Sequence, residues 1–93
     1  MKYERTIATL QKAGFVVERE IRPSQKSPGT TYERGFIARI PGARRRIDAT
    51  RQDDEVCTMR VIRDTDHDDS MSDYWAGTWV NTIKSAIKLA MID

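Results

Sequence analysis

Asp64, Asp66, Asp68, Asp69 and Asp73 stand within ten residues, with no Lys or Arg among them, and Tyr74 and Trp75 follow directly. Carboxylates at the first, third and fifth places of a loop begin a calcium-binding pattern. That pattern also requires a glycine at the sixth place, for the sharp turn, and a bidentate glutamate at the twelfth. Asp69 and Trp75 hold those places. A loop without the glycine cannot turn sharply, and without the glutamate an ion loses two oxygens. No metal or other cofactor is therefore expected. A divalent-metal nuclease site built from the same aspartates is disfavoured with it. Two readings remain for the segment. One is a solvated loop that keeps the chain soluble. The other is a partner-binding surface made of Asp64, Asp66, Asp68, Asp69, Asp73, Tyr74 and Trp75. Carboxylates beside large aromatics suit a partner that is basic and carries apolar pockets, as the surfaces of nucleic-acid-binding protein complexes do.

A second block has the opposite sign. Arg39, Arg44, Arg45, Arg46 and Arg51 crowd 13 positions, diluted only by Asp48. Up to Arg63 the chain holds 14 basic and 8 acidic residues, and from Asp64 onward 2 basic and 6 acidic. The net +2 hides a polarity of +6 against −4, and surface potential selects partners. These arginines can track phosphates by charge and bidentate hydrogen bonds, which makes RNA binding the alternative function. Aromatic residues for stacking on unpaired bases are absent from the block. Cross-strand pairing with Asp53, Asp54 and Glu55 is the structural explanation of the same arginines.

Other chemistry is scarce. His67 is the single histidine and Cys57 the single cysteine. A general base needs an orienting partner and a nucleophile or water in reach. His67 sits instead among aspartates, which favour its charged form. Cys57 alternates with Met59 and Val61 and reads as a buried small hydrophobe. No phosphate loop, dinucleotide fingerprint or zinc spacing occurs. The expectation is a protein that is not an enzyme.

The elements that hold these residues follow from periodicity. Tyr3, Ile7 and Leu10 give a helical stripe over residues 3–13, with Gly14 as its stop. Residues 15–22 read as a strand with Phe15, Val17 and Ile21 on one face and Arg19 as the exception. Residues 23–31, with two prolines, a glycine and two serines, read as a loop. Residues 32–40 form a strand with Phe36, Ala38 and Ile40 inward. Pro41-Gly42 makes a turn, so residues 44–50 return antiparallel with Ile47 and Ala49 inward. Residues 55–63 alternate most clearly, and both faces are partly apolar, which predicts a central place in the sheet. Thr78 is the expected N-cap of a last helix with Val80, Ile83, Ile87, Ala90 and Met91 on its stripe. The expected fold is α+β: one domain over residues 1–93, an antiparallel sheet of three or four strands, and both terminal helices on one face.

Ninety-three residues suffice for one small core. The lone cysteine excludes an internal disulfide and suits a reducing cytoplasm. The charged start is no secretory signal, and no apolar run approaches the roughly 20 residues of a membrane span. A monomer or homodimer is expected.

The segment ERTIATLQKAGFVVERE resembles the opening of the HicA toxin family. It shares the charged first helix, the junction from Leu10 to Phe15, and Arg19 on the next strand. That resemblance implies an α-β-β-β-α fold similar to double-stranded-RNA-binding domains, and ribonuclease activity. The family's catalytic histidine would fall near the second strand, where this chain has Ser27, Pro28, Gly29, Thr30 and Thr31. In type, a small domain with a polarised charge surface and an acidic-aromatic segment is similar to accessory proteins of phages and mobile elements, of which anti-CRISPR proteins are the best-known class. That likeness implies an inhibitor that obstructs a host nucleic-acid-handling complex without chemistry.

Overall fold

Tyr3, Thr6, Ile7 and Leu10 form the buried stripe of the first helix, α1 (Tyr3–Lys12), in a computed structural model that describes residues 2–52, 57–63 and 77–92. Gly14 follows at φ +100°, a left-handed backbone that glycine enters without strain. The Phe15 N–H then returns to the Leu10 carbonyl at 3.0 Å, and the Gly14 N–H to that of Gln11 at 3.0 Å. This pair of bonds closes the helix and brings buried Phe15 against its last turn.

Five strands follow: β1 (Val16–Pro23), β2 (Thr31–Arg39), β3 (Arg45–Arg51), β4 (Cys57–Arg63) and β5 (Thr78–Val80). They lie in the sheet in chain order, and every neighbouring pair is antiparallel. A second helix, α2 (Ile83–Ala90), ends the described fold. Both helices cover one face, where Phe36, Ala38, Ile47, Met59 and Val61 meet Tyr3, Leu10, Ala86 and Ala90 in a single core. Tyr3 and Phe36 bring their rings to 5.7 Å. The architecture is α+β with the helices on one side of an antiparallel sheet, as the periodicity predicts.

Three local expectations need correction. Thr78 does not cap a helix; it begins β5, pairing with Val61 of β4. The cap is Thr82, whose hydroxyl oxygen accepts from the Ser85 N–H at 3.1 Å. Trp79 therefore stands on a strand, and Val80 reaches the core from β5 rather than from a helix. Met91, assigned to the helical stripe, is exposed just beyond α2. Ile21, expected inward, is half exposed. The register shifts between Glu20 and Ile21, because Glu20 pairs with Gly35 and Ile21 with Glu33. Arg34 is the extra residue of this bulge on β2, and Ile21 stands opposite Glu33 rather than Arg34.

The central place of β4 holds. Cys57, Met59 and Val61 are buried under the helices, while Arg60 and Ile62 are buried on the other face.

Candidate functional site

Asp64, Asp66, Asp68, Asp69, Asp73, Tyr74 and Trp75 lie outside the described residues, as do His67, Asp53, Asp54 and Glu55. The attachment points of the acidic segment are described. Arg63 ends β4, and Gly77 stands just before β5. These strands are neighbours, with Val61 opposite Thr78. Residues 64–76 thus join two adjacent strands at one end of the sheet. The turn between β2 and β3 lies at the same end, because Arg45 pairs with Arg63. The acidic segment and the turn that carries Arg44 are rooted there.

The five arginines of the basic block are not gathered on one surface. Arg39 ends β2 with its guanidinium 3.8 Å from the Glu18 carboxylate. Arg44 is exposed in the turn. Arg45 lies on the helix side, its Nη1 donating to the Leu89 carbonyl at 3.4 Å. Arg46 points to the opposite face and is 4% exposed. Its Nε donates to Asp48 Oδ1 at 2.8 Å and its Nη1 to the Arg63 carbonyl at 3.0 Å. Arg51 stands near the other end of the strand, its guanidinium 4.9 Å from the centre of the Tyr3 ring. A cation over an aromatic face is attracted by the ring's quadrupole. Alternation along β3 is the cause of the scatter: consecutive residues of a strand face opposite sides.

On the sheet face away from the helices, a buried charged row was not singled out from sequence. Asp48, Arg60 and Trp79 are cross-strand partners on β3, β4 and β5. Arg60 Nη2 lies 3.7 Å from Asp48 Oδ2, and its guanidinium 6.0 Å from the Trp79 ring. Asp48 thus stands between two guanidiniums, those of Arg46 and Arg60. Arg46 and Asp48 are two apart on one strand, a spacing that places them on one face. That spacing was the available signal. The sheet pairing that adds Arg60 was not visible in it.

Arg19, the exception in the apolar alternation of β1, has a clear role. It bridges Glu4 of α1 at 2.7 Å and Glu33 of β2 at 2.9 Å. Its hydrogen bonds hold the Glu4 carboxyl below its ordinary range. Glu33 also accepts from the Tyr3 hydroxyl. Burial, and then Glu33, push the Tyr3 hydroxyl well above its ordinary range. This cluster ties α1 to the sheet. Burial likewise raises the Cys57 thiol, with a hydrogen bond to Thr6 opposing. A buried thiol with a raised pKa is a poor nucleophile.

Comparison with protein-family models, with curated proteins and with solved structures finds no match.

Proposed function

We propose that the chain is a non-catalytic binding protein that docks on a basic surface of a nucleic-acid-handling complex and obstructs it, in the manner of anti-CRISPR inhibitors. The observation that carries this reading is the run of Asp64, Asp66, Asp68, Asp69 and Asp73, followed by Tyr74 and Trp75, tethered at both ends to adjacent strands of one sheet. Binding loops are commonly held in this way by a rigid scaffold. The carboxylates would take the place of phosphates at the partner's Lys and Arg, and the aromatics would anchor in its apolar pockets.

The placement of the arginines favours this reading over RNA binding through Arg39, Arg44, Arg45, Arg46 and Arg51. A phosphate-tracking surface needs its cations on one side. Here Arg46 is committed to Asp48 in the interior, and Arg51 lies over Tyr3. The burial of Cys57 supports a role without nucleophilic chemistry.

The test is capture of the partner complex from host lysate, with and without nuclease, by the wild type and two variants. Changing Asp66, Asp68 and Asp69 together to Asn should slow association, most strongly at low salt. Trp75→Ala should speed dissociation by about tenfold, the loss of an anchor worth roughly 1.4 kcal/mol. Thermal melts control for folding. Equal capture by wild type and both folded variants would reduce the segment to a solvated loop.

A further inference from the structure

We infer that Arg45 and Arg63 form an anion site for a phosphate monoester on a small molecule. The two residues are direct cross-strand partners on β3 and β4, on the face that carries the helices. Like charges placed opposite each other oppose pairing of the strands. On the opposite face of the same two strands, the buried Arg46 and Arg60 flank Asp48. No such carboxylate among the described residues serves Arg45 and Arg63. Among the described residues, the one hydrogen bond of these guanidiniums is the 3.4 Å contact of Arg45 with the Leu89 carbonyl, and neither enters an ion pair. The two adjacent cations thus have no compensating anion among the described residues.

The space between them is shaped. A recess of about 290 Å³ is lined by Arg45, Val61, Ile62, Arg63, Gly77 and Thr78. Gly77 adopts φ +85°, and a β-carbon there would lie 2.4 Å from the Val61 carbonyl oxygen. The backbone entering β5 therefore runs close against β4, and no side chain at that position fills the recess. Thr78 is exposed and sits on the same face, which puts a hydroxyl donor beside the two guanidiniums. Guanidinium forks match phosphate oxygens in pairs. The volume falls at the lower limit of small-molecule pockets, about 300–1,000 Å³. It suits one phosphate with a small body and not a nucleic-acid duplex. The site is independent of the acidic segment's proposed role.

The experiment is a titration of isotope-labelled full-length protein with inorganic phosphate, and with a nucleoside 5′-monophosphate against its nucleoside, in low-salt buffer. Nuclear magnetic resonance would follow the Gly77 and Thr78 amides and the arginine Nε–H groups. Saturable shifts should appear at Gly77, Thr78, Arg45 and Arg63 but not at buried Arg46, and the nucleoside should cause none. Arg63→Gln should weaken phosphate binding by about tenfold or more, while Arg44→Gln, outside the recess, should leave it unchanged. Arg63→Lys, which keeps the charge and loses the fork, should fall between. Arg63→Gln should also raise the melting temperature in phosphate-free buffer, because it removes the repulsion, and abolish any rise on adding phosphate. A purely structural arginine would lower it. Two results overturn the site. One is the absence of saturable shifts up to roughly 10 mM phosphate, beyond a millimolar dissociation constant. The other is an equal loss of binding in Arg44→Gln and Arg63→Gln, which would mean diffuse attraction by surface charge.

Discussion

A β-carbon on Gly35 would lie 1.9 Å from the Ala49 carbonyl oxygen, within the wall of the neighbouring strand. The constraint is close approach of β2 to β3, so Gly35→Ala must push the strands apart. It should lower stability by about 3 kcal/mol, the upper range for overpacking, in chemical denaturation. Asp48 is constrained by charge. Asp48→Ala removes the carboxylate that faces both Arg46 and Arg60, and should cost about 3–5 kcal/mol, the usual effect of breaking a buried pair. Tyr3 makes a prediction about pH. Its hydroxyl is raised above the ordinary value of 10 by burial and by Glu33, so the folded state favours the neutral form. The contribution is complete below the unfolded value and declines as pH rises beyond it. Melting temperatures of the wild type should therefore fall above about pH 10, and Tyr3→Phe should remove that part of the fall.

Thr82 is the cap that opens α2, and the cap is worth measuring because the helix is only eight residues long. Thr82→Ala should destabilise by about 1 kcal/mol, and Thr82→Ser should recover most of it. Most of the element order was legible in the chain, since Tyr3, Ile7 and Leu10 mark a helix and Phe36, Ala38, Ile47, Ala49, Met59 and Val61 alternate. The start of α2 was not, for a physical reason. Thr78 and Thr82 are both good caps, four residues apart, and Val80 fits a helical stripe as well as an inward strand position. What decides between them is the pairing of Met59 with Val80, a tertiary contact that no local pattern contains. The bulge at Arg34 was hidden in the same way. It appears only when β1 and β2 are laid side by side. The scatter of the arginine block was legible in principle. Arg44, Arg45 and Arg46 are consecutive, and a strand cannot show all three on one face. The acidic segment, by contrast, lies outside the described residues, and its reading still rests on residue types and on where the chain is anchored.

At the scale of the molecule, the described fold is a sheet with one helical roof, and protection should follow that plan. Amides of β3 and β4, paired on both sides and buried, should exchange slowest with solvent. Amides on the outer edges of β1 and β5 should exchange fastest among the strands, since each has one neighbour among the described strands. Exchange measured by mass spectrometry or magnetic resonance would check the order, and fast exchange in β4 would contradict it. The strand order carries one more consequence. Each strand lies beside the one made just before it, so on the ribosome, at about 5–20 residues per second, every new strand emerges to find its neighbour already present. The sheet can be assembled during translation, hairpin by hairpin. The roof is completed later: Ala86 and Ala90, which close over β3 and β4, are made after every strand. Until they leave the exit tunnel, Ile47, Met59 and Val61 lack that part of their cover, and the nascent chain should be a chaperone client for that interval.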